Sequence, residues 1–131
     1  MTPSFLMVCA SAAIAGAPPG WATATLRDGE VALLVDEGGV GAVNDAARAL
    51  GQLAVSVVRR EADPDAQEQT VIEFAGSLPL IWVTDEFSEP ARSWAHDRGP
   101  MTLLIAAEGV LSEPERTRIG RFVTLLARQT D

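Results

Sequence analysis

Two adjacent acidic residues, Asp85 and Glu86, follow the apolar stretch LPLIWVT (78–84) and are the first candidates for chemistry in this chain. Since α/β proteins bind ligands at the carboxyl ends of their strands, Thr84 and Asp85 are candidates to contact a ligand there. The same acids are also explained by the helix dipole, because they precede a helix that begins near Ser88. We favour the helix-start interpretation and keep the ligand-edge interpretation open.

A glycine-containing loop, DEGGVGAVNDA (36–46), lies between a predicted strand and a predicted helix. A dinucleotide-binding loop would occupy this position, but the third glycine of its G-x-G-x-x-G pattern is missing. Asp36 and Glu37 also place two negative charges where a pyrophosphate would need the positive end of the helix. The loop is therefore predicted to be a tight strand-to-helix turn.

Several catalytic chemistries are excluded by residue type. All ten basic residues are arginine, which removes Schiff-base chemistry, a Walker lysine and a lysine general base. The only histidine, His96, is predicted to lie on a helix surface, and Cys9 is the only cysteine. One histidine and one cysteine cannot form a zinc site with the usual four ligands. A magnesium site made of carboxylates alone stays open.

The charge and composition limit the partners. A net charge of −8 opposes nucleic-acid binding, which depends on neutralising phosphates. The length predicts a single domain over residues 1–131, and one cysteine gives no internal disulfide. The apolar stretch at 4–17 has no basic segment before it and is too short to span a bilayer. We therefore expect a buried strand rather than a secretory signal, a cytoplasmic protein, and no membrane partner.

The elements that must position these residues fall into two parts. Residues 4–14 predict a strand, and WATATL (21–26) with EVALLVDE (30–37) predicts a hairpin around RDG (27–29). Strands then alternate with helices, and the strands at 78–85 and 101–107 are apolar at nearly every position. The predicted fold is α/β: a mixed, largely parallel sheet flanked by helices, with an N-terminal β-hairpin or meander.

Residues 53–111 resemble the C-terminal core of the Mrr-type restriction endonuclease-like family. The likeness rests on EFAGSL (73–78) and on VT, FS, AR and A at positions 83–84, 87–88, 91–92 and 95. The resemblance implies a restriction endonuclease-like scaffold. Family members use an upstream acid, then an acid or glutamine, one spacer and a lysine, to hold a metal and activate water.

Those catalytic positions are not matched in this chain. The glutamine position falls on Ser56 and the lysine position on Val58, and neither side chain can ligate a metal or assist proton transfer. Asp36 or Glu37 could replace the upstream acid, and Arg59 is the nearest cation, although its guanidinium stays protonated.

Three hypotheses follow. The first is a catalytically degenerate endonuclease-like domain that acts as a regulatory or protein-binding module without a cofactor. The second is an active nuclease that uses Mg²⁺ and a non-standard site. The third is a small-molecule-binding α/β domain that uses the strand ends near Cys9, Thr84 and Asp85. A protein partner or a second copy of the chain is open in each.

Overall fold

The computed structural model describes residues 3–34, 39–51, 55–107 and 109–129. These residues form one sheet of five strands in the order β3-β2-β1-β4-β5, and every pairing in it is parallel. The strands are β1 Leu6–Ala10, β2 Glu30–Leu34, β3 Ser56–Val58, β4 Leu80–Thr84 and β5 Thr102–Ala106. The helices are α1 Ser11–Ala15, α2 Trp21–Thr25, α3 Gly39–Leu50, α4 Pro64–Ala75, α5 Glu89–Arg98 and α6 Glu113–Gln129, and a short 3-10 helix covers Gly99–Met101.

The central strand β1 is buried on both faces, as its continuous apolar sequence requires. Side chains alternate along a strand, so Met7 and Cys9 enter one core while Leu6 and Val8 enter the other. The predicted buried strand at the start of the chain is thus confirmed for residues 6–10. No helix within the described residues combines the length and the apolarity that a bilayer span requires.

Helices cover both faces of the sheet. The first core receives residues of α1, α2, α3 and α6, and the second receives residues of α4 and α5. The chain moves outwards from β1 through β2 to β3, then returns through α4 to the other side of β1, where it forms β4 and β5. The direction of progression therefore reverses between β1 and β4, which leaves a crevice at their carboxyl ends.

The α/β class with a sheet flanked by helices is confirmed, but the N-terminal hairpin or meander is wrong. WATAT forms α2 instead of a strand, and β1 pairs with β2 in parallel. The turn at 27–29 exists, with the Gly29 amide donating to the Leu26 carbonyl, but it joins a helix to a strand. The alternation of apolar and polar residues at 21–26 wrongly predicted a strand. The side chains that enter the core are Ala22 and Leu26, whose spacing of four residues is that of a helix.

The later helices begin and end where the sequence places them. Ser112 and Glu115 form a capping box, with amide-to-side-chain distances of 2.8 and 3.3 Å. Ser88 caps α5 by accepting from the Ala91 amide at 3.2 Å. Gly51 follows α3 with a φ of 69°, a conformation that glycine adopts without strain.

Candidate functional site

Two adjacent cavities lie at the carboxyl edge of the sheet, where the strand order reverses. We name the larger, of about 530 Å³, the polar groove, and the smaller, of about 170 Å³, the apolar slot. The two cavities share the last residues of three strands and the residue after β4, namely Ala10, Leu34, Thr84 and Asp85. Among its described lining, the polar groove adds Arg60, Glu61, Gln67, Glu68, Trp82 and Glu86.

The wall of the polar groove is fixed by a contact between α4 and the start of α5. One carboxylate oxygen of Glu68 accepts from the Ser88 amide at 2.8 Å, and the other accepts from the Ser88 hydroxyl. The same hydroxyl oxygen accepts from the Ala91 amide, so Ser88 is bound on three sides. We call this the Glu68–Ser88 brace. It holds the segment Asp85–Phe87 against the sheet, where Phe87 packs edge-on to Trp82 with ring centroids 5.1 Å apart.

A second set of contacts orders the loop after β3. Glu61 accepts hydrogen bonds from the Arg59 Nε at 2.5 Å and from the Thr70 hydroxyl at 2.9 Å. Gln67 accepts from the Glu61 amide and donates to the Arg59 carbonyl, at 2.9 and 3.0 Å. The hydrogen bond from Arg59, and then that from Thr70, lowers the pKa of the Glu61 carboxyl. The groove thus contains an ordered carboxylate that favours its charged form.

Thr84 and Asp85 lie at the boundary between the cavities, since both residues line each of them. One Asp85 oxygen accepts from the Glu86 amide at 3.0 Å and from the Thr84 hydroxyl at 3.3 Å. The Glu86 carboxylate, unlike its amide, forms no hydrogen bond with any residue in the described part of the chain. The acid in the first turn of α5 is Glu89, so the predicted pair precedes the helix by a few residues. The geometry permits a ligand-contacting role for Thr84 and Asp85, and that role stays a prediction.

The apolar slot is lined mainly by small residues. Ala10, Ala13 and Ala107 form much of its wall, and Leu34 and Val83 supply larger apolar surface. Small side chains leave space beside the sheet that larger ones would occupy, which is why the cavity exists here.

The endonuclease-like positions are distributed along and beyond β3. Asp36 and Glu37 lie outside the described residues. The Ser56 hydroxyl donates to Glu30, at the start of β2, and Val58 is buried in the second core. Arg59 pairs with Glu61 rather than pointing towards a metal-binding group. Within the described ranges, no three histidine, cysteine, aspartate or glutamate side chains converge as metal ligands.

The two remaining chemical candidates take structural positions. His96 is exposed on α5, as the sequence predicts. Cys9 is fully buried, and burial raises the pKa of its thiol to about 12. A thiol in this environment is inert, because the reactive form of cysteine is the thiolate. Cys9 therefore supports the core beneath the strand ends and does not contact a ligand directly.

Glu68 and Ala107 are groove and slot residues that the sequence did not indicate. Glu68 contacts a residue 20 positions away, and no local motif signals such a pair. No protein-family model, curated protein or solved structure matches this chain. Its function must therefore be argued from the geometry of the site itself.

Proposed function

We propose that this protein is a small-molecule-binding α/β domain whose ligand occupies the polar groove and the apolar slot. One observation carries the proposal: the two cavities lie at the carboxyl ends of β1 and β4, where the strand order reverses. Open parallel sheets bind their ligands at this position, because the connections that follow the two strands lead to helices on opposite faces of the sheet and leave a crevice between them.

The size and the lining of the cavities support the same conclusion. A volume of about 530 Å³ for the polar groove falls within the usual range of ligand sites, roughly 300 to 1,000 Å³. Such sites combine apolar walls with a few fixed polar groups, and here Glu61 and Glu68 are both fixed by hydrogen bonds. A preordered wall reduces the entropy that binding would otherwise cost.

The endonuclease-like hypotheses stay predictions, and the described contacts favour them less. Val58 occupies the position of the catalytic lysine and is buried in the second core. Arg59, the nearest cation, is held by Glu61 in an ion pair of 2.5 Å. A nuclease site at β3 would need a divalent ion and a cation to meet there.

A fragment screen by ¹H–¹⁵N NMR tests the proposal. We expect the fragments that bind to shift the backbone amides of the groove, especially those of Arg60, Thr84, Asp85 and Ala107. A ligand present at 100 times its Kd should also stabilise the fold by about 2.7 kcal/mol. A library of several hundred fragments that shifts none of these amides, or that shifts only amides of α6, would refute the proposal.

A further inference from the structure

The apolar slot has the dimensions of one small ring. The slot measures about 170 Å³ and is open to solvent on one side, and an enclosed apolar cavity of about 150 Å³ in another protein holds a benzene molecule. Alanines form much of the wall of the slot, and Thr84 and Asp85 supply the polar groups at its boundary with the groove. An amphipathic ligand whose ring fills the slot would place its polar end near Thr84 and Asp85.

The polar groove beyond that boundary carries an excess of negative charge. Four carboxylates line it among the described residues, against a single guanidinium, that of Arg60. Glu68 uses both oxygens in the brace, but Asp85 has one oxygen, and Glu86 both, without a hydrogen bond from any described residue. A ligand group that contacts these oxygens is best suited if it donates hydrogen bonds, because carboxylate oxygens are acceptors.

From these two features we infer that the site binds an organic cation, in which a benzene-sized apolar group fills the slot and an ammonium group meets Asp85 and Glu86. The inference rests on the proposed function and specifies its ligand class. Phosphorylated and carboxylated ligands are disfavoured, because the four carboxylates outnumber the guanidinium of Arg60 and that of Arg59, which pairs with Glu61.

Three molecules with the same ring and different charges test the inference: benzylamine, benzyl alcohol and benzoate. The measurement is the Kd of each from NMR titration at a fixed ionic strength. Benzylamine should bind at the groove about three- to tenfold more tightly than benzoate, with benzyl alcohol between them. Asp85 and Glu86 are exposed, and an ion pair at an exposed site changes affinity by up to about fivefold.

Matched variants separate the slot from the carboxylates. Asp85→Asn should weaken benzylamine about two- to fivefold and leave benzyl alcohol nearly unchanged. Glu73→Gln, which removes an exposed carboxylate from α4 outside both cavities, controls for net charge. Ala107→Leu should weaken both ligands by filling the slot, and Ala106→Leu, at the neighbouring exposed residue that lines neither cavity, should not.

The outcomes distinguish the inference from the proposed function. Equal or tighter binding of benzyl alcohol or benzoate at the groove overturns the cation inference and leaves the proposed function standing. The cation inference is also overturned if Asp85→Asn leaves the Kd of benzylamine unchanged, or if Glu73→Gln raises that Kd as much as Asp85→Asn does. If none of the three binds while other fragments shift the groove amides, only the inference fails. If no fragment shifts those amides, the proposed function fails as well.

Discussion

The Glu68–Ser88 brace gives the most specific test of how the groove is built. Glu68→Ala removes the acceptors for the Ser88 amide and the Ser88 hydroxyl, two contacts that join α4 to the start of α5. Hydrogen bonds to charged groups contribute roughly 1.5 to 3 kcal/mol each when both partners are buried. Glu68 and Ser88 are only half-buried, so water can hydrogen-bond to Ser88 in the variant and offset part of the lost stability. We expect the free energy of unfolding to fall by about 2 to 3 kcal/mol.

Urea denaturation measures this change, and Glu73→Ala is the control. Glu73 lies on the same helix and is exposed, so its removal should change the free energy of unfolding by less than about 0.5 kcal/mol. Both variants lose one negative charge and gain the same helix propensity, and the difference between them isolates the brace. In thermal unfolding, Glu68→Ala should lower the Tm by about 6 to 12 °C.

A double-mutant cycle with Ser88→Ala assigns the loss to the pair. The single Ser88→Ala variant should cost about 1 to 2 kcal/mol, because it also removes the N-cap of α5. If the brace exists, the double variant should lose less than the sum of the two single losses, by at least about 0.5 kcal/mol. Exact additivity, or a Glu68→Ala variant as stable as Glu73→Ala, would refute the reasoning.

Two further predictions concern the core. Since burial raises the pKa of the Cys9 thiol from 9.0 to about 12, the unfolded state loses its proton first, and stability should fall as pH rises from about 9 towards 12. Urea denaturation across that range should show the decline, and an equal decline in Cys9→Ala would contradict it. Gly29→Ala should lower the free energy of unfolding by about 1 to 3 kcal/mol, because its Cβ would lie 2.3 Å from the Phe5 ring. In Gly41→Ala, the added Cβ would have no described atom within 4 Å beyond its chain neighbours and its own helix backbone, and we expect a gain of about 0.4 to 1 kcal/mol. Equal effects at both glycines would contradict the packing argument.

The later part of the chain could be predicted because its signals are local. Ser88 caps α5 and the Ser112–Glu115 capping box opens α6, as their spacing indicates. The apolar runs at β4 and β5 predicted buried parallel strands, and both are present. Each of these signals acts over one helical turn or one strand, so the sequence pattern contains it in full.

The N-terminal part was predicted wrongly for a physical reason. A five-residue helix such as α2 has too few turns to leave a clear 3.6-residue period, and alternating alanine and threonine resemble a strand. Gly20, with a φ of 83°, reverses the chain before Trp21 and allows the turn. Burial of Ala22 and Leu26 in the first core, together with the parallel pairing of β1 and β2, decides the local structure.

The sequence by itself determined the chemical limits: no lysine, one histidine, one cysteine, a net charge of −8, and an α/β pattern. It also indicated that Thr84 and Asp85 end a strand. Only the tertiary structure decided that these residues meet Ala10, Leu34 and Arg60 around one groove. The reason is that strand order depends on which strands pair across distant parts of the chain, and a cavity at the reversal point exists only after all of those pairings have formed.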